Sequence, residues 1–156
     1  GIMAHESVTY TDNNEVDMLF FGDSYETNNS DQFIKMHGRK VYEFALSRVP
    51  DAMKACLDQS GTQIQDLKKI FIHLANEKMD EAIVKRFYRL YKEKVPANVL
   101  PMNIETHGNS SVATIPTLFD QVLKGQKEGH ELSKGDVVLF ASVGAGMNIN
   151  AITYQI

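Results

Sequence analysis

The run Ile70-Phe71-Ile72-His73-Leu74-Ala75-Asn76-Glu77-Lys78-Met79 decides how this chain is read. Lys69 to Leu74 is short and β-prone, so Ile70, Phe71 and Ile72 read as a buried strand. Asn76 is a helix-capping residue. Glu77, Asp80 and Glu81 crowd the turn that follows, where carboxylates favour the positive end of the helix dipole. Met79, Ile83, Phe87 and Leu90 then fall along one side of a helix. A strand that delivers a histidine into a short loop, followed at once by a capped helix, is the unit of a layered α/β domain.

The pattern continues on both sides. Downstream, Val99 to Ile104 reads as a strand, entered through Pro101 and leaving into Thr106-His107-Gly108-Asn109. Ser110 to Leu123 carries Val112, Ile115, Phe119 and Val122 at helical spacing, and Pro116 either kinks this helix or marks its regular start. Gly125 and Gly129 fall in a loop. Asp136 to Ser142 and Ile149 to Ile156 are two strands about Gly144-Ala145-Gly146, a closing antiparallel hairpin. Upstream, Gln32 to Gly61 is helical, with Val41, Phe44, Ala45 and Val49 on one face. Pro50 interrupts it, and a second helix carries Met53, Cys56 and Leu57. Ser7 to Thr11 and Asp17 to Phe21 read as two strands or a hairpin about Asp12-Asn13-Asn14. Gly22 to Asp31, with Asn28-Asn29-Ser30, reads as a loop.

The chain has 156 residues, enough for one domain with a real core. Apolar residues make up 43% and charged residues 23%, ordinary values for a globular chain. A net charge of −4 argues against a whole-surface nucleic-acid or membrane platform. No apolar run is long enough to span a bilayer. The single cysteine, Cys56, excludes an internal disulfide and suits a reducing compartment, so the expected location is the cytoplasm.

Three loops at predicted strand ends are able to converge on one crevice: His73 to Asn76, His107 to Ser111, and Gly144-Ala145-Gly146. Each has a plain structural alternative. A histidine at a strand end serves as a structural hydrogen bonder, Asn109 beside Gly108 as a turn residue, and the glycines as a hairpin turn. Cys56 lies mid-helix beside Met53 and Leu57, so it reads as core. The five histidines show no paired spacing, so no metal site is expected. Lys78, Lys85, Arg89 and Lys92 share a helix face, either as a solvated stripe or as a docking surface for an acidic partner.

Four segments, in order, resemble the β-ketoacyl-acyl carrier protein synthase III family. Ile72-His73-Leu74-Ala75-Asn76 resembles its His-Gln-Ala-Asn signature. His107-Gly108-Asn109-Ser110-Ser111 with Ile115-Pro116 resembles its Gly-Asn-Thr-Ser segment. Gly135 to Leu139, leading to Gly144-Ala145-Gly146, resembles its last strands. Met36 to Ala45 resembles the helix that opens its second half. Leu74, Lys78, Val143 and Ala145 depart from the family pattern, the last two beside the expected acyl site.

The resemblance implies an α/β fold: a three-layer α/β/α thiolase-like half, with a mixed sheet and helices on both faces. It implies that residues 1–156 form the carboxyl-terminal domain, that the nucleophilic cysteine belongs to an amino-terminal half, and that this half alone is inactive. The implied reaction is a decarboxylating Claisen condensation. His73 and Asn109 are its implied catalytic residues, the backbone of Gly144, Ala145 and Gly146 a second oxyanion site, and Lys78 the carrier contact. No cofactor is implied, since coenzyme A thioesters and acyl carrier protein are substrates. The implied partners are acyl carrier protein, acyl-coenzyme A, the amino-terminal half and a second copy of the whole enzyme. An apolar face left open by the missing half is also expected.

Overall fold

The computed structural model describes residues 1–12, 15–26, 30–73 and 76–156, without the side chain of Val16. Part of the predicted turn at Asn13 and Asn14, the loop residues Asn28 and Asn29, and Leu74 and Ala75 of the histidine signature lie outside them. In chain order the elements are β1 (Ile2–Thr9), β2 (Leu19–Asp23), β3 (Gln32–Met36), α1 (Gly38–Gln59), β4 (Leu67–Ile72), α2 (Glu77–Leu90), α3 (Ile104–His107), α4 (Thr114–Leu123), β5 (Val137–Gly144) and β6 (Asn148–Gln155). One sheet orders its strands β1-β6-β5-β4, and β2 and β3 form a separate ribbon. β4 and β5 are parallel, while β5–β6 and β6–β1 are antiparallel. The sheet is mixed, as expected.

Helices cover both faces. Successive strand residues point to opposite sides. Thr153 faces α1, where its hydroxyl meets the Cys56 thiol at 3.3 Å. Its neighbour Tyr154 faces the other way, its ring 6.3 Å from that of Phe119 in α4. Phe71 and Phe140 lie on that second face, with ring centroids 5.2 and 5.0 Å from Phe119. α1 buries Phe44, Val49, Met53, Cys56 and Leu57 against the first face. α2 lies alongside α1 and buries Met79, Ile83, Val84, Phe87 and Tyr88.

Several elements differ from the sequence reading. Residues 32–36, expected to be helical, form β3 and pair with β2. Gln32-Phe33-Ile34-Lys35-Met36 has the strand-favouring pair Phe33-Ile34 at its centre, and the ribbon carries apolar side chains on both its sides. Ser7 to Thr9 belong to β1, which pairs with β6 and not with Asp17 to Phe21. Val99 to Ile104 is not a strand. The Val99 carbonyl accepts the Ile70 N–H at 2.8 Å, but Pro101 brings no N–H to extend a ladder, and the chain turns into α3.

Pro50 does not end its helix: α1 runs unbroken for 22 residues. Proline removes the hydrogen bond to the carbonyl four residues back, here that of Leu46. Arg86 Nη1 from α2 donates to that same carbonyl at 3.1 Å. The lost helix bond is therefore replaced from outside. Pro116 lies in the first turn of α4, where N–H groups have no helical acceptor to lose, and so marks its regular start.

Asp80 is the other surprise. Placed by sequence among solvated first-turn carboxylates, it is fully buried, and neither of its oxygens finds a hydrogen-bond partner among the described residues. Burial pushes its carboxyl up to about 8. Leu90, expected on the apolar stripe, is exposed, and Tyr88 takes its place in the core.

Candidate functional site

β4 and β5 run parallel, so their carboxyl ends open at the same edge of the sheet. His73 follows β4 directly, and its backbone N–H continues the ladder by donating to the Ala141 carbonyl at 2.9 Å. Gly144 closes β5 at the same edge. The segment after α3 then folds across this end. Gly108 at φ +61 makes the turn out of α3. Asn109 Oδ1 accepts the Ser111 N–H at 2.9 Å, a short side-chain turn that occupies the carbonyl side of the amide. The amide nitrogen retains its donors.

These pieces surround one crevice of about 600 Å³. His73, Asn109, Gly144 and Ala145 all line it, joined by Ser111, Val143 and Asn148. Four of the six residues singled out by sequence thus meet in one place. Gly146 is set back from the lining. Its φ of +73 forms the 3-10 turn between β5 and β6, which glycine tolerates freely. Gly144 is extended, and a side chain there would project into open space. Lys78 is exposed on the first turn of α2, outside the crevice. Lys85 pairs loosely with Glu81 at 3.8 Å, and Lys92 lies past the end of α2 in left-handed backbone.

Two crevice residues other than glycine, Ser111 and Met147, hold φ values of +55 and +50. Such backbone costs on the order of 1 kcal/mol and persists where surrounding packing imposes it, a condition concentrated at functional sites. His73 is half-buried. Burial lowers its pKa below the ordinary imidazole value, and the Ser111 carbonyl, a hydrogen-bond acceptor for the ring, pulls weakly the other way. The ring is neutral at neutral pH and carries one N–H. A developing oxyanion is a stronger acceptor than a carbonyl and would take that proton in preference to Ser111.

Cys56 lies far from this chemistry. It is fully buried among core side chains, and burial pushes its thiol pKa up, the opposite of nucleophile activation. Among the described residues no group of three or more histidine, cysteine, aspartate or glutamate side chains is arranged to hold a metal ion. No helix among them is long and apolar enough to cross a membrane. The sequence reading missed the part played by β2, β3 and the start of α1, whose Leu19, Met36 and Val41 complete the crevice wall. Its signal was the strand-favouring pair Phe33-Ile34, masked by the helical pattern that follows.

The same fold occurs in two solved ketosynthases. The β-ketoacyl-acyl carrier protein synthase III of Thermus thermophilus superposes with a TM-score of 0.82 at 21% identity, over all of this chain and 46% of that one. The priming β-ketosynthase of the R1128 polyketide pathway gives 0.82 at 22%, over all of this chain and 45% of that one. The architecture is therefore that of a ketosynthase half. In sequence, the β-ketoacyl-acyl carrier protein synthase III of Acaryochloris marina is 36% identical over 124 residues, 80% of this chain and 34% of that protein. The chain spans about a third of the length of such relatives. The family described as 3-oxoacyl-[acyl-carrier-protein] synthase III C terminal matches residues 57–156, and the chain belongs to it.

Proposed function

We propose that this chain is the carboxyl-terminal half of a decarboxylating condensing acyltransferase, with His73 and Asn109 as its oxyanion donors. The observation that carries the reading is their meeting in one crevice at the carboxyl ends of a parallel strand pair. In the reaction, a cysteine of the amino-terminal half holds the acyl group as a thioester. Malonyl-acyl carrier protein loses carbon dioxide, and the electron pair of the broken bond moves onto the thioester as an enolate. The enolate carbon attacks the acyl carbonyl, and the cysteine leaves as thiolate. The products are a 3-oxoacyl carrier thioester, carbon dioxide and free enzyme.

His73 and Asn109 donate N–H groups to the enolate oxygen. Donors fixed in place before charge develops lower such a barrier by about 3–4 kcal/mol each. The neutral state of His73 suits this task, since a donor is needed and a proton need not leave. Backbone N–H groups at Gly144, Ala145 and Gly146 serve the tetrahedral oxyanion at the acyl-cysteine. Lys78, exposed beside the crevice loop on α2, contacts the acidic carrier. The whole protein works in the cytoplasm as a homodimer, and the chain alone does not condense.

The test is condensation of acyl-coenzyme A with malonyl-acyl carrier protein by the intact protein carrying His73→Ala. A fall of about 10²–10³ in kcat supports the reading. Unchanged turnover would make the chain a noncatalytic carrier-binding module. A polyketide-type donor preference is a variant of the same reading, and a comparison of donors separates the two.

A further inference from the structure

The segment that delivers Asn109 is tied down by side chains outside the crevice. Asn109 stands two residues beyond the end of α3, a single turn of four residues that is too short to hold its own shape. Gly108 between them has left-handed backbone, and a Cβ there would meet nothing within 4 Å among the described residues, so packing does not hold the link. The far end of the bridge is fixed. Asn109 Oδ1 holds the Ser111 N–H, and Ser110 Oγ lies 3.3 Å from Thr114 Oγ1 at the start of α4. The near end needs an anchor of its own.

That anchor is a closed ring of hydrogen bonds between α3 and the body of α4. Asn103, 3% exposed and placed just before α3, donates through Nδ2 to Gln121 Oε1 at 2.9 Å. The Gln121 amide nitrogen therefore faces His107, whose Nε2 lies 3.2 Å away and accepts its hydrogen. The ring hydrogen of His107 then sits on Nδ1, 2.8 Å from Thr106 Oγ1. Thr106 completes the circuit by donating to the Asn103 carbonyl at 3.1 Å. All four bonds run in the same sense. Gln121 belongs to the part of α4 seated in the core, next to buried Val122 and one turn from buried Leu118.

We propose that His107 and Gln121 are positioning residues that set the Asn109 amide at the oxyanion site. The inference rests on the acyltransferase reading above, in which Asn109 donates to the enolate. His107 is exposed and outside the crevice lining, so it neither meets the reacting atoms nor supports the core. Its two ring bonds hold the last residue of α3, and Asn109 follows through Gly108 alone. A preplaced donor acts only when held within about 0.5 Å of the productive position. Displacement by about 1 Å costs on the order of 10²-fold in rate. Loss of the ring therefore lowers kcat without removing a catalytic group, and leaves substrate binding as it was.

The experiment measures kcat and KM for condensation of acyl-coenzyme A with malonyl-acyl carrier protein by the intact protein. His107→Phe and His107→Gln are each made in the parent and in an Asn109→Ala background. Phe keeps a flat ring without an acceptor, whereas Gln returns an amide oxygen near the place of Nε2. The proposal expects His107→Phe to lower kcat about tenfold with both KM values within about twofold, and His107→Gln to keep at least about half of kcat. In the Asn109→Ala background His107→Phe should change kcat no further, because the donor it positions is gone. Gln121→Leu breaks the same bond from the other side and carries the same expectation, should His107→Phe fail to fold by circular dichroism. Unchanged kcat in both single variants overturns the proposal. So does an equal loss in the parent and the Asn109→Ala background, which would mean a general structural role, or a Gln variant as slow as Phe. Full turnover by Asn109→Ala alone removes the donor itself and the proposal with it, so failure of the acyltransferase reading is told apart from failure of the positioning.

Discussion

The two faces of the main sheet are finished to different degrees. On one, α1 and α2 bury Cys56, Leu57, Phe71's neighbours Ile70 and Ile72, and Phe87, and every one of these side chains is nearly or wholly dry. On the other, α4 alone covers the Phe71, Phe119, Phe140 and Tyr154 rings, of which only Phe71 is fully buried. Beside α4 an apolar cleft of about 310 Å³ remains, walled by Ile115, Pro116, Phe119, Phe140 and Ile152. Ser142 and Asn150 line both this cleft and the reaction crevice. The first face stabilises the domain by itself. The second stops where a further protein surface would complete both the core and the crevice, in keeping with a chain that spans a third of its relatives.

Truncating a side chain on each face tests this contrast most strongly. Phe87→Ala should cost about 3–5 kcal/mol in denaturant unfolding, through lost burial and the cavity left behind. Ile152→Ala on the open face should cost about 1 kcal/mol or less, because solvent already reaches the site. Similar losses at the two positions would mean that the second face is as complete as the first.

Within the finished face, Asp80 is a buried polar exception among apolar side chains and a source of pH dependence. Its carboxyl titrates near 8 in the fold against an ordinary 3.8. Between those values the unfolded chain releases a proton that the folded chain keeps, so stability falls as pH rises from about 4 to about 8. Asp80→Leu should raise stability by about 2–4 kcal/mol at pH 7.5 and leave it nearly unchanged at pH 4. A gain independent of pH, measured by urea unfolding at both values, would assign the effect to packing alone.

A smaller effect is expected where α1 meets α2. Arg86→Ala leaves the Leu46 carbonyl without a donor and should cost about 1–2 kcal/mol. In a Pro50→Ala background the helix recovers its own bond at residue 46, and the Arg86 loss should shrink. Strict additivity in this double-mutant cycle would show that Arg86 contributes through other contacts.

How far the sequence reveals this molecule follows the same division. β4, α2, α4, β5 and β6 announce themselves because local pattern and tertiary role agree: the continuous apolar run of β4 and β5, the alternation of β6 and the 3.6-residue period of the helices match what each buries. His73, Asn109, Gly144 and Ala145 were found as strand-end and turn residues before their meeting was visible. What local pattern missed was decided by distant partners. Pro50 stays helical because Arg86 stands opposite, Asp80 is buried by a packing geometry that no dipole argument foresees, and β3 forms because β2 is there to pair with it.

The most direct test of the central claim is a double-mutant cycle on His73 and Asn109, reading condensation turnover in the intact protein. Each alanine variant should lose about 10²–10³ in kcat, and the double variant should lose much less than the product, because both donors serve one oxyanion. Independent, multiplicative losses would separate the two residues into different steps, and wild-type turnover in either single variant would contradict the account.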